Sequence, residues 1–453
     1  MRSRLLQQTL TYLAALCVLL ATSLSAWAQD DMSSSAERLS LDQAIEIALQ
    51  KNRSLKNSQL DVEKSEDEIE AIRTRRLPSS HFYALISEDV VKHEATLTNP
   101  LSGIFPGIGP FFTISSQRKP TGVFAAQVLQ PISQQYRIGL AIKMAKLEHG
   151  VEREKLRSDA QGLVDNVKRT YYEILQTESA LATVRDEVKS YRELDRVTAD
   201  FVIKQVSLKA DHLQIQTRLA KAEYDSVDLS NRLATQKEQL NRLLGRDVLT
   251  EFNVLAVPQA AILESDLVAS RRRALEQRPE LQQARLKIKE AEVAKRIKKS
   301  EYIPDVSVGF TSLRLENFDH FVPRNIASAG VVVSWEIFDW GRKKKELAQR
   351  SIAIEQAENA RRDLEDEILL EVGVKFRKLQ QTREALNVAR LGQETARESL
   401  RVTTGRYRLE AALLSDVLQS QAALAEANHQ YQNVLLSFWI AKAELEKAMG
   451  EEK

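Results

Sequence analysis

The stretch Arg401-Val402-Thr403-Thr404-Gly405-Arg406-Tyr407-Arg408-Leu409-Glu410-Ala411-Ala412-Leu413-Leu414-Ser415-Asp416-Val417-Leu418 decides the fold, because the chain has carried its landmarks once before. A step back of 205 residues pairs Arg401-Val402-Thr403 with Arg196-Val197-Thr198, Leu413 with Leu208, and Asp416 with Asp211. The same spacing pairs Leu386 with Leu181, Arg342 with Arg137 and Gly450 with Gly245, and it holds from residue 130 to the end. Upstream the spacing is 226, which relates Leu49, Leu55, Leu60 and Leu77-Pro78 to Leu275, Leu281, Leu286 and Ile303-Pro304. One register kept over such distances marks a duplicated unit. The change of spacing places an insertion of 21 residues in the first copy, between Pro78 and Gln130. It falls around 92–121, where Pro100, Pro106, Pro110 and Pro120 stand among Gly103, Gly107 and Gly109, a composition that predicts a loop.

Each copy reads as helix, strand, loop, strand, long helix, tight turn and returning helix. All ten prolines lie outside the long helical segments, and no glycine occurs between Leu163 and Leu244. Ala160, Val167, Ile174, Leu181 and Val188 recur every seven residues, with Leu163, Val184 and Tyr191 on the neighbouring line, which is a coiled-coil seam. A helix from about Arg137 to Phe201 is ~97 Å long, a length suited to crossing a compartment rather than filling a core. The fold class is therefore mostly α with some β, in long helical hairpins plus four strands per chain. The first repeat spans 29–245: short helices over 41–76, strands 79–90 and 122–130, the loop 92–121, a long helix 137–201 and a returning helix 209–244. A linker covers 246–265. The second repeat spans 266–453: helices over 266–301, strands 304–315 and 328–338, a long helix 342–406 and a returning helix 413–449.

The first 28 residues have the pattern of a secretory signal. Arg2 and Arg4 precede an apolar run from Leu10 to Leu24, and Ala26-Trp27-Ala28 is a small-x-small cleavage site. An uncleaved anchor is the alternative, although the run is shorter than the ~20 residues of a spanning helix. Cys17, the single cysteine, lies in this segment after a poor lipidation signal, so cleavage leaves a chain without cysteine. Loss of the two arginines also brings the basic residues to 63, equal to the acidic ones, and a neutral chain offers no electrostatic case for nucleic acid. No later stretch holds 18 consecutive apolar residues, so any membrane crossing falls to the strands.

In the last strand Val331, Val333, Trp335 and Ile337 alternate with Val332, Ser334 and Glu336, the pattern of a membrane barrel, with a small soluble sheet as the alternative. Trp335 and Trp340 suit either an aromatic girdle at the membrane interface or core packing. Four strands cannot close a barrel, since about eight is the smallest membrane example and an open edge strands backbone polar groups in lipid. Several chains must share one; three, giving twelve strands, leave an open lumen where two do not.

These features together resemble the TolC family of outer-membrane efflux proteins. The signal, the duplication, Gln130-Pro131-Ile132 and Trp335-Glu336-Ile337-Phe338-Asp339-Trp340-Gly341-Arg342 at the strand-to-helix junctions, and the 406–418 turn carry the resemblance over nearly the whole mature chain. It implies a homotrimer with a shared transmembrane β-barrel in the outer membrane and a helical barrel in the periplasm. It further implies a passive exit duct for a tripartite efflux or type I secretion system, partnered by a periplasmic membrane-fusion adaptor and an inner-membrane pump of the RND or ABC type, driven by protons or ATP. By motif position, Asp211, Tyr407 and Asp416 match a periplasmic gate. A ring of three Asp416 carboxylates favours cations; the competing role is a carboxylate in the first turn of the returning helix, stabilised by its dipole. Gln419 and Ala412 depart from the family, standing where a second acid and a basic gate residue are common. Leu208 and Leu413 are candidates for adaptor contact at the tips, or for simple turn packing.

The chemistry of an enzyme is missing. His81, His93, His149, His212, His320 and His429 show no ligand spacing, and His212 reads as a surface residue. There is no phosphate-cradling glycine loop and no nucleophile elbow, so no metal or other cofactor is expected. Two rivals to the channel remain. A periplasmic adaptor would have one hairpin set in a β-rich sandwich, and a structural coiled coil has no use for paired strands.

Overall fold

The computed structural model describes residues 37–88, 94–98, 111–115, 120–204, 209–256, 266–317, 323–409, 411–412 and 414–451. The expected signal segment 1–28 lies outside them.

Uninterrupted helix formers give the chain two very long rods. The rod of the first copy, α3, runs over Gln134–Ile203 with 70 residues, and its counterpart α7 over Arg342–Arg408 with 67; at 1.5 Å per residue both are ~100 Å long. Their returning partners, α4 (Lys209–Leu244) and α8 (Leu414–Ala448), are about half as long. They cover only the tip-side half of each rod. The other half packs against α2 (Arg53–Thr74) and α6 (Pro279–Ser300). Neighbours run α4–α3–α8–α7 in the tip-side half and α2–α3–α6–α7 in the other, so the copies meet along α3 in both.

The heptad line of α3 is the buried one, with Val167, Ile174, Leu181 and Val188 all in the core. Each copy builds the same cluster around its rod. Leu163, Val167, Tyr171, Ile174 and Leu240 in the first are matched, 205 residues on, by Ile368, Val372, Phe376, Leu379 and Leu445 in the second. Charges tie the two copies together where α3 meets α8. Lys168 reaches Glu446 at 2.7 Å, and Asp165, with a side chain only 4% exposed, receives Arg169 at 3.4 Å and Lys447 at 3.2 Å.

The helical segments over 41–76 and 266–301 each consist of two helices, as expected, and the structure places the break between them. A capping box of Ser40 and Gln43 starts α1 (Leu41–Lys51). The chain then turns extended at Asn52, whose side chain accepts from the Leu55 N–H and donates to the Leu243 carbonyl at 2.8 Å. In the second copy Pro279 stands at the first position of α6 and forces Arg278 extended, ending α5 (Leu267–Gln277). Both breaks serve one purpose, docking onto the glycine that ends the returning helix. Gly245 (φ 69°) lies so close to Lys51 that an added Cβ would sit 2.1 Å from its carbonyl oxygen, and Gly450 (φ 84°) packs less tightly against Gln277 and Arg278, whose nearest atoms would be 3.0 Å from an added Cβ.

Within the 246–265 linker, β6 (Phe252–Val254) pairs in parallel with β1 (Glu37–Leu39); residues 257–265 lie outside the described ones. Buried Tyr171 clasps this pair. Its hydroxyl is 2.9 Å from the Leu39 carbonyl and 2.7 Å from that of Leu255, and it accepts the Leu255 N–H. Its second-copy equivalent is Phe376, which has no hydroxyl, and the described residues there contain no strand pair.

The sheet is antiparallel in the order β2 (Ser79–Glu88), β5 (Pro120–Pro131), β7 (Asp305–Glu316), β8 (Asn325–Ser334), with β2 and β8 as open edges. Two expectations need correction. The segment 92–121 is not all loop: β3 (Glu94–Thr98) and β4 (Phe111–Ser115) form an antiparallel pair, and Pro120 and Thr121 already belong to β5. Their β-branched and aromatic residues favour strands, while the Pro and Gly fall mainly between them. Strand 328–338 begins at Asn325 and ends at Ser334. Beyond it the chain must turn into α7, and Asp339 makes that turn by accepting the N–H groups of Gly341 (3.0 Å) and Lys343 (2.9 Å), with Trp340 and Gly341 at positive φ.

Gly245→Ala is expected to cost about 2–4 kcal/mol, from steric overlap and a left-handed backbone together. Gly162→Ala, where an added Cβ meets nothing within 4 Å, is expected to be neutral or to gain up to ~1 kcal/mol. Thermal unfolding followed by circular dichroism checks both; equal midpoints for the two variants would contradict the docking role of Gly245.

Candidate functional site

Register assigns every strand residue to a side of the sheet. On one side lie Phe82 and Ile86 of β2, Phe124 and Val128 of β5, Val308 and Phe310 of β7, and Val331 and Val333 of β8. On the other, His81 is paired with Gln127, Gln127 with Thr311 and Thr311 with Ser328, a polar row crossing all four strands at one level. Midway along the central strands, exposure separates the two sides. Ala126, Val128, Val308 and Phe310 on the apolar side are exposed, whereas Gln127, Leu129, Ser307, Gly309 and Thr311 are half-buried. The sheet is thus curved with its polar side inward, and among the described residues no element packs against the apolar side. No described helix is long and apolar enough to cross a membrane.

At the far end of the rods the two hairpins turn. The first closes after Lys204, whose N–H reaches the Asp200 carbonyl at 3.1 Å; the second closes with the N–H groups of Leu409 and Ala411 both on the Arg406 carbonyl. Asp211 and Asp416 occupy the third positions of α4 and α8, and Tyr407 the last-but-one position of α7. Because α3 packs beside α8, both tips lie at the same end of the protomer. Asp416 is exposed in the first turn of its helix. The side chains of Asp211 and Tyr407 are outside the described ones, and Leu208 and Leu413 lie outside the described residues altogether. Trp335 and Trp340 stand at the opposite end of α7, 55% and 87% exposed, and Trp340 contacts Phe338 edge-on at 5.0 Å.

Each hairpin is also clipped near its tip by a polar pair. In the first, Thr198 on α3 meets the Nδ1 of His212 on α4 at 3.2 Å, with Asp195 at 3.6 Å and Gln216 on the other ring nitrogen at 3.1 Å. His212 is therefore an interhelical contact, 18% exposed, and not the surface residue its sequence neighbours imply. In the second, Ser420 donates to Thr403 at 3.2 Å. Thr198 and Thr403 are repeat equivalents while their partners are not, so only half of each clip is visible in the repeat.

Sequence reasoning also missed a band of acids. Glu187 on α3 lies between Asp225 on α4 and Glu426 on α8. Partial desolvation, then the charges of Glu426 and Asp225, hold its carboxyl above the ordinary carboxylate range, with His429 opposing. The repeat hides this band, because the positions equivalent to Glu187, Asp225 and Glu426 are Gly392, Gln430 and Lys221. Near the sheet, Glu148 on α3 is raised in the same way by burial and by Glu290 and Glu68. Among the described residues no group of three His, Cys, Asp or Glu is arranged to hold a metal ion.

An open sheet with its apolar side outward, set on two rods with returning helices, defines the protomer of a membrane channel. The family profile of outer membrane efflux proteins matches residues 44–246 and 271–451, one block on each copy. The chain belongs to that family of outer-membrane efflux channels. Solved structures share the architecture. The outer membrane channel CmeC of Campylobacter jejuni aligns with a TM-score of 0.73 at 13% identity, over 90% of this chain and 85% of that one. A membrane protein from Pseudomonas aeruginosa gives 0.71 at 16%, over 90% and 93%. VceC of Vibrio cholerae gives 0.69 at 15%, over 91% and 96%. At these identities the likeness speaks for the fold alone. Comparison with curated proteins gives no match.

A carboxyl with a raised pKa holds its proton more tightly folded than unfolded. Its contribution to stability is full below the unfolded value and is lost as pH rises through the folded one. Glu187→Gln, neutral at every pH, is therefore expected to melt higher than the parent at neutral pH, with the gap closing toward about pH 4. A gap independent of pH would assign the gain to something other than this carboxyl.

Proposed function

We propose that three copies of this chain form the outer-membrane exit duct of a tripartite efflux system. The observation that carries this reading is the inverted sheet. A soluble sheet buries its apolar side, whereas this one exposes Val128, Val308 and Phe310 and shelters Gln127 and Thr311. The two unpaired edges support the trimer. In lipid the free N–H and C=O groups of β2 and β8 must find partners, and four strands from each of three chains make a closed barrel of twelve with a lumen. His81, Gln127, Thr311 and Ser328 then line that lumen in a polar ring. The rods continue the duct through the periplasm, and α4 and α7, the outer helices of the tip-side half, meet those of neighbouring protomers.

In this reading the duct narrows at the hairpin tips. Asp416, with Tyr407 from the same turn and Asp211 from the other hairpin, forms the periplasmic gate, where carboxylates gathered on the axis attract cations. By motif position Leu208 and Leu413 are the candidate contacts for a periplasmic adaptor, which links the duct to an inner-membrane pump of the RND or ABC type. The protein itself does no catalysis. Cargo, whether small molecules or a secreted protein, is chosen by the pump.

Purified protein in planar bilayers should conduct, and its mass in detergent should be that of a trimer; a non-conducting monomer would sink the proposal. Asp416→Ala should weaken the block of that conductance by divalent cations. Block unchanged from the parent would reduce Asp416 to a helix-dipole role.

A further inference from the structure

Beneath the sheet the helix ends are stitched together at one level. The Arg76 carbonyl, just past α2, accepts from Nε2 of Gln130 and of Gln135, each at 2.9 Å. At the start of α3, Arg137 grips both oxygens of Asp305 at 2.9 and 3.0 Å, and Lys298 near the end of α6 reaches Glu346 of α7 at 2.5 Å. These stitches engage only part of the positive charge. Arg137 and Lys298 are paired there, and Arg342 and Lys343 are paired with Glu336. Arg75, Arg76, Arg296, Lys299, Lys344 and Lys345 are left over: all six are exposed, and none has a side-chain hydrogen bond or ion pair among the described residues. They come from the ends of three different helices. Tyr302 and Trp340, both exposed, stand at the same level, with Lys343 6.0 Å from the Tyr302 ring.

A surplus of one charge on a helix is ordinarily a solvated face. This one instead lies where the outward apolar sheet gives way to polar helices. We propose that it is a binding collar for the anionic phospholipid headgroups of the periplasmic leaflet, a surface resting on the reading of the sheet as a membrane barrel. Phosphodiester oxygens accept from the Arg and Lys side chains, and Tyr302 and Trp340 lie at the level of the ester groups, where amphipathic rings are favoured. The stitched pairs hold the four helix ends in place, so the free charges of one protomer are presented together.

The test uses full-length protein in neutral detergent, with oligomeric mass and bilayer conductance measured on the same preparation. Retention of phosphatidylglycerol against phosphatidylcholine with identical acyl chains is then read by native mass spectrometry. The anionic lipid should be retained about ten-fold better, less so as salt rises, and the variant Arg296→Gln/Lys299→Gln/Lys344→Gln/Lys345→Gln should lose most of that preference while remaining a conducting trimer. Equal retention of the two lipids by the parent overturns the proposal, as does an undiminished preference in the variant. Displacement of the lipid by millimolar inorganic phosphate overturns it too, by marking a free-anion site. Loss of the trimer in the variant would make these residues subunit contacts and likewise overturn it. If the fourfold variant does not fold, Lys344→Gln/Lys345→Gln alone should still lower the preference, and no change refutes the collar. A parent that is itself monomeric and non-conducting refutes the channel reading, an outcome separate from lipid retention.

Discussion

Everything in this protomer depends on the contact between α3 and α8, where the two copies of the repeat are made into one body. Apolar packing alone could let two such rods slide by a heptad. The ion pairs between Lys168 and Glu446 and between Asp165 and Lys447 oppose any other register, because a slide would leave the nearly buried Lys168 without its partner. Gln161 adds a further fixed point by donating to the Gly450 carbonyl at 2.9 Å. With the register set, the strand pairs of the two copies arrive side by side at one end and the hairpin turns arrive together at the other.

The repeat shows through the structure unevenly, and the pattern of its failures is physical. Helices, seam and core equivalence were legible because burial selects residue types periodically, and two copies sampled the same selection. Breaks at Asn52 and Arg278 were not, since a local extended residue is set by what docks there, the glycines at 245 and 450 far away in sequence. The end of β8 at Ser334 is masked in the sequence because Trp335-Glu336-Ile337 continues the alternation of a strand while Asp339 begins the cap of a helix. Loop 92–121 concealed a strand pair under a composition dominated by its Pro and Gly.

The site divides in the same way. Asp211, Tyr407 and Asp416 could be placed at the turns by motif position, since the turns are fixed by the repeat. The band of Glu187, Asp225 and Glu426 could not, because it is built across three helices at positions where the copies have diverged. His212 is hidden for a related reason: its partners Asp195 and Thr198 lie across the hairpin, and nothing beside it in sequence reveals that it faces inward. In both cases the informative neighbour is on another helix, so no local pattern signals it.

The broken equivalence of the two copies bears on assembly. Each copy contributes two strands and one hairpin, so the same ring could in principle be built from six separate halves. Every additional body brought into a complex costs roughly 4–15 kcal/mol of translational and rotational freedom. Fusion through the 246–265 linker removes three of those six bodies from the encounter. It also frees the halves from identity: one can carry the β1–β6 clasp on Tyr171 and the β3–β4 pair while the described residues of the other carry neither. Ring closure becomes a meeting of three partners that already hold their internal register, and a mouth with threefold rather than sixfold features follows from that economy.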